Sequence, residues 1–178
     1  SEDYPDVIFG PPQGGGELYG SLDVLSLGQH GRIVFDFGEY VAVDGPGVDL
    51  VVFENPIVSA PYQPYAEPAV VSCSIDGTSD DDFVAFPCDL SIAHGDAAGE
   101  LWPYPGCAGV RPVYSSAVSC IQPWDWPESG GDGFDLSLIG IDRARYLRIE
   151  DAGLSTAADG MCGFDLDAVV LIHWDTFP

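Results

Sequence analysis

The apolar residues of this chain come in short runs, and Gly, Pro, Asp or Ser cuts each run off before three helical turns could form. No window keeps a 3.6-residue apolar period long enough for an amphipathic helix, which leaves short strands as the elements that can bury these runs. The spacing predicts strands at 24–27, 32–37, 41–43, 49–54, 69–75, 83–86, 112–114, 134–137, 146–150 and 168–173. Alternation is clearest where Ile33, Phe35 and Phe37 oppose Val34 and Asp36, and where Leu147 and Ile149 oppose Tyr146 and Arg148. Helix is expected only as a turn near 90–93 or 154–158. Many short strands with Gly, Pro and Asp turns and no alternation of strand with helix predict an all-β fold. The architecture expected is an antiparallel jelly-roll β-sandwich with long disulfide-pinned loops. A length of 178 residues suits one domain over 1–178, with an N-terminal arm at 1–19 and the core at 20–175.

Charge narrows the possible partners. Twenty-nine acidic side chains stand against five arginines and no lysine, for a formal net charge of -24. Such a field repels phosphate backbones and anionic lipid head groups, and it offers no basic patch from which counterions could be released. Nucleic acid is therefore excluded as a partner, and no hydrophobic loop marks direct membrane insertion. Three readings of the acidity stay open: a saline habitat, carboxylate clusters neutralised by divalent cations, or a solubilising surface. A hydrophobic content of 46% with 12% aromatics is far from a disordered acidic tract, so the chain folds. It starts at Ser1 with its one methionine at Met161, and reads as a trimmed chain whose targeting segment is missing.

The five cysteines include no Cys-x-x-Cys pair and stand apart from His30, His94 and His173, which argues against zinc. Disulfides in an oxidising compartment are the alternative. Cys88 and Cys107 sit beside Pro or Gly in loop-like sequence, Cys120 lies in the next irregular stretch, and Cys162 precedes a strand. The expected pairs are Cys88 with Cys107 and Cys120 with Cys162. Cys73, alternating with Val71 and Ile75, is expected free and buried.

Several segments resemble a known superfamily. The run Val71-Ser72-Cys73-Ser74-Ile75-Asp76-Gly77, followed later by Ala144-Arg145-Tyr146-Leu147-Arg148-Ile149, is similar to the central strand and a later strand of galactose-binding-like domains, which include the discoidin domains. Gly20 through Gly28, Asp44-Gly45-Pro46-Gly47, the stretch from Asp49 to Asn55, Glu67-Pro68-Ala69 and Phe164-Asp165-Leu166-Asp167-Ala168 look like a poorly characterised family of bacterial secreted or cell-surface domains of myxobacterial type. The resemblance implies a jelly-roll sandwich, a structural calcium near one end, and end loops that bind glycans, lipids or protein.

The residues themselves supply candidates for both roles. Calcium (Ca2+) takes several hard oxygen ligands, and glycine-rich loops let carboxylates and carbonyls converge. Asp44, Asp49, Glu54, Asn55 and Glu67 fit that composition, and Asp132 in the Gly-Gly-Asp-Gly run 130–133 is a further candidate. Each is equally explained as a turn residue bonding its own backbone. Asp165 and Asp167 alternate with Phe164, Leu166 and Ala168 and read as the wet side of a strand. The prolines around Trp124, Asp125 and Trp126, and the similar spacing of Trp102 and Tyr104, present aromatic faces that could stack on sugar rings. They could equally plug the end of the fold. Arg143, Arg145 and Arg148 are expected to clamp carboxylates.

No nucleophile elbow, zinc-protease helix motif or dinucleotide loop occurs, so no enzyme is expected. The function read from the sequence is a non-catalytic, secreted or cell-surface calcium-binding recognition module for a glycan or a surface protein. A calcium-dependent adhesive protein and a carboxylate-based glycoside hydrolase are the alternatives.

Overall fold

The computed structural model describes residues 4–54, 56–59, 63–93, 102–154 and 163–177. Its strands are β1 (Leu25–Ser26), β2 (Arg32–Asp36), β3 (Tyr40–Val43), β4 (Leu50–Phe53), β5 (Ile57–Ser59), β6 (Gln63–Tyr65), β7 (Ala69–Ser74), β8 (Val84–Ala85), β9 (Asp132–Phe134), β10 (Arg143–Ala144), β11 (Tyr146–Asp151), β12 (Asp165–Leu166), β13 (Ala168–Leu171) and β14 (Trp174–Thr176). Helix is limited, among the described residues, to 3-10 turns at Asp6–Ile8, Asp80–Asp82 and Leu136–Ile139. The all-β class holds.

The jelly-roll β-sandwich does not, and neither does the discoidin-like architecture that the resemblance implied. The described strands form five separate antiparallel sheets, ordered β2-β11-β7-β8, β10-β3-β14, β13-β4-β9, β1-β12 and β5-β6, and none closes or curls into a sandwich. The reason is visible between β3 and β4. Only the loop 44–49 separates them, yet β3 pairs with β10 and β14 while β4 pairs with β13 and β9. Pro46 has no N–H for a ladder, and Gly47 adopts a φ of +89°, so the chain leaves one sheet and enters another. Strands of two to six residues give each sheet too few rungs to extend across the molecule.

The alternation read from sequence survives in the four-stranded sheet. Leu147 pairs with Phe35 and Cys73, and Ile149 with Ile33 and Val71. Leu147, Ile149, Val71 and Cys73 are fully buried in one apolar cluster with Leu50, Val52, Phe134 and Phe164. The buried thiol of Cys73 is free and pushed up to about 12 by desolvation. β4 departs from alternation because it is covered on both faces. Leu50 and Val52 enter the main cluster, while Val51 and Phe53 form a second with Val113 and Ala168, with Trp126 packed against it. The long stretch between β8 and β9 supplies that second cover, with Val113 bridging to Gly130.

Two other expectations shift for local reasons. The strand expected over 134–137 ends at Phe134. The Asp135 side chain accepts from Ser137 N and caps the following 3-10 turn, so its own backbone leaves the ladder. The stretch 112–114 contributes a single bridge rather than a strand.

Candidate functional site

The turn that separates β3 from β4 also brings carboxylates together. Asp44 and Asp49 lie at its two ends, and the capping residue Asp135 joins them from the segment after β9. One oxygen from each of Asp44, Asp49 and Asp135 lies within 4.8 Å of the others, an arrangement capable of coordinating a divalent cation.

Asp49 is fully buried and anchors the group. Its Oδ1 accepts from Gly45 N at 2.8 Å and lies 2.8 Å from Nδ1 of His173, while Oδ2 accepts from Leu136 N at 2.8 Å. A carboxylate has about four lone-pair positions, so three bonds fix its orientation and leave room for one further contact. Asp135 spends Oδ1 on Ser137. Asp44 is exposed at the mouth of the group. Its carboxyl is raised above the ordinary range, first by desolvation and then by the charges of Asp49, Asp135 and Asp142, with His173 opposing. Like charges at this separation favour a bound proton or a bound cation. All three donors are hard oxygens, which suits calcium or magnesium better than zinc or copper.

Two of the expected calcium ligands therefore meet, and Asp135 joins them in place of Asp132 from the same Gly-Gly-Asp-Gly-Phe-Asp run. Its other sequence signal is Asp-x-Ser, the habit of a capping or turn residue. Glu54 and Glu67 do not join the group. They line a different cavity of about 170 Å³ together with Asp165. Asn55 lies outside the described residues.

Asp165 and Asp167 are not a wet face. Burial raises the carboxyl of Asp165, and its Oδ1 has no hydrogen-bond partner among the described residues. Asp167 is buried and accepts from Gln13 N at 2.9 Å. The N-terminal segment covers a position that alternation assigns to solvent.

Asp132 is not in the carboxylate group either. It begins β9, pairs opposite Val52, and is only 5% exposed, with Oδ2 accepting from Val110 N at 3.0 Å. Burial pushes its carboxyl up to about 7, against the lowering effects of backbone N–H groups and the Arg111 charge. It lines a cavity of about 240 Å³ whose wall includes Trp102, Cys107, Arg111, Trp126 and Phe134.

The aromatic candidates divide accordingly. Trp102 and Trp126 share that cavity, and Trp126 Nε1 donates to Gly131 O at 3.4 Å. Trp124 is 57% exposed and lies outside the cavity wall, as does Tyr104. Asp125 is exposed, and its Oδ2 accepts from Gln122 N at 3.3 Å, the bond of a turn residue. With the local chain in a turn rather than extended, the near neighbours Trp124 and Trp126 do not share a face.

Cys88 and Cys107 form a disulfide. Of the second expected pair, Cys120 is free and exposed, in a turn held by hydrogen bonds between Ser116 and Ser119. Cys162 lies outside the described residues.

Arg143, Arg145 and Arg148 each clamp a carboxylate. Arg145 holds Asp36 through two bonds of 2.8 and 3.0 Å, Arg143 meets Asp175 at 3.2 Å, and Arg148 meets Glu150 at 3.0 Å. Arg32 and Arg148 both reach Asp80, which offsets the repulsion within the triple-Asp turn.

No helix among the described residues is long and apolar enough to cross a membrane. No protein-family model, curated protein or solved structure matches this chain.

Proposed function

We propose that the chain is a non-catalytic recognition module that works outside the cytoplasm, is stabilised by calcium at Asp44, Asp49 and Asp135, and takes a glycan as its ligand. The single observation that carries this reading is the approach of the three carboxylates, with Asp49 buried and oriented by three hydrogen bonds. A carboxylate so held is already oriented to meet a cation. Calcium is the cation best suited to an all-oxygen, partly open site, and extracellular calcium modules work at submillimolar to millimolar affinity. The Cys88–Cys107 disulfide supports an oxidising location.

Thermal melting in calcium and in chelator tests the metal. The midpoint should rise with free calcium as the logarithm of concentration over dissociation constant, and the rise should be lost in Asp44→Asn. Asp44 is exposed and its side chain makes none of the hydrogen bonds that hold the loop, so that variant keeps the fold. A midpoint indifferent to calcium and chelator overturns the calcium assignment. Binding to a glycan array tests the ligand class, and an array blank both with and without calcium overturns it.

A further inference from the structure

We propose that the cavity walled by Trp102, Arg111, Trp126 and Asp132 binds a single neutral sugar ring, stacked on indole and held through its hydroxyls by the guanidinium and the carboxyl. This deepens the recognition reading above and rests on it for the ligand class, but it stands on a different part of the molecule from the cation cluster.

Four observations converge. The first is size. At about 240 Å³ the cavity falls below the roughly 300–1,000 Å³ of sites for drug-sized molecules, which suits one ring and not an extended chain.

The second is its wall. Trp102 and Trp126 supply apolar plates, Phe134 and the half-cystine Cys107 add apolar surface, and Asp132 and Arg111 supply the charged groups. Indole faces favour the C–H face of a sugar while leaving its hydroxyls free to bond.

The third is Arg111. Each of the other four arginines meets a carboxylate within 3.2 Å. Arg111 is exposed and makes no salt bridge within 4.0 Å among the described residues. Its guanidinium lies over Trp126 instead, 5.9 Å from the ring centroid. With no described carboxylate clamping it, the Arg111 guanidinium keeps its donors available to a ligand.

The fourth is Asp132, a carboxyl kept nearly dry, with Val110 N bonded to Oδ2 at 3.0 Å and the backbone N–H groups of Arg111 and Gly109 also turned toward it. Its remaining oxygen capacity can accept from hydroxyl groups, which replace the water that burial removed.

Charge selects among ligands that could stack. An anion would have to approach a molecule of net charge -24 and then sit beside Asp132, and a cation would meet Arg111 at the mouth. A neutral polyol both donates to Asp132 and accepts from Arg111.

The test is titration of the full chain with D-galactose, D-glucose and D-mannose, and with D-glucuronate and acetate as anionic controls. Tryptophan fluorescence and calorimetry are the readouts. At least one neutral sugar should give a saturable signal, unchanged in Trp124→Phe and weakened about tenfold or more in Arg111→Gln, a surface substitution that leaves the fold intact. Asp132→Asn should weaken it similarly, with circular dichroism confirming the fold. No saturation by any neutral sugar overturns the proposal, as does binding unaffected by Arg111→Gln. Saturation by glucuronate or acetate alone also overturns it, because the site would then be an anion site. If the sugars fail while the calcium-dependent melting shift persists, the cavity assignment falls and the calcium module stands. If array binding persists in Arg111→Gln, glycan recognition lies elsewhere on the surface and only the cavity is lost.

Discussion

Asp132 and Asp36 show how the same side chain acquires opposite roles. Asp36 is held below the ordinary carboxylate range by its bonds to Arg145 and Gly38 N, whereas burial pushes Asp132 up to about 7. The two therefore bend the pH profile of stability in opposite directions. Asp36 contributes stability above about 3.8, lost as pH falls. Folded Asp132 keeps its proton to higher pH than the unfolded chain does. Its contribution is thus most favourable below 3.8 and declines until about pH 7, beyond which it is constant. The rise from 3.8 to about 7 corresponds to on the order of 4 kcal/mol. Urea unfolding across pH 4 to 7 should show this decline in the native chain and a flatter profile in Asp132→Asn. Equal slopes would mean that Asp132 titrates normally.

Gly45 carries a steric constraint at the same scale. A Cβ there would lie 2.4 Å from Nδ1 of His173, whose ring is tied to Asp49 and cannot retreat without breaking that bond. Gly45→Ala should cost about 1–3 kcal/mol, read as a lower melting midpoint. Sequence shows this glycine only as part of a turn, because the histidine that crowds it is 128 positions away.

Among the elements, β4 departs furthest from what alternation suggests. Strand β2 behaves as a half-buried strand should, with Val34 47% exposed, and a Val34→Thr change should be nearly neutral. On β4 the alternate positions Val51 and Phe53 are as buried as Leu50 and Val52, because the segment carrying Val113 lies over them. Phe53→Ala should therefore cost about 3–5 kcal/mol, the loss of a core aromatic. Chemical denaturation of the two variants side by side checks the contrast.

The Cys88–Cys107 disulfide closes a segment of sequence separation 19 next to the cavity wall. A loop of that length is worth about 3 kcal/mol when cross-linked. A Cys88→Ser, Cys107→Ser double variant should lose about that much and gain hydrogen exchange around residues 102–111. The strands themselves were largely legible: most fall within a residue or two of where period-2 alternation places them. The hairpin of β5 and β6, the two-residue strands β10 and β12, and β14 were not, because so few residues carry no readable period. The pairing of strands into sheets was not legible either, since a turn of a few residues decides whether neighbours in sequence share a ladder.

For the molecule as a whole, the surface of 9353 Å² shared by 24 net charges gives about 390 Å² each, or a mean spacing of about 20 Å. That is about twice the Debye length in 0.1 M salt, so the average repulsion is already screened there and close carboxylate groups dominate the remainder. Calcium should therefore raise the melting midpoint more than sodium chloride at equal ionic strength. Equal effects would show that the acidity acts only as a diffuse field.

What the sequence by itself determined was local and cumulative: the all-β class from period-2 runs, the acidic field from side-chain counts, and the turn chemistry that holds Asp44 and Asp49 near each other. Only the tertiary structure decided which distant groups meet. It joined Asp135 to Asp44 and Asp49, separated Glu54, Glu67 and Asp132 from them, and set Trp102, Arg111, Trp126 and Asp132 around one cavity. The physical reason is that side-chain direction along a strand follows from its own backbone, whereas a site depends on which strands pair and which loops cover them.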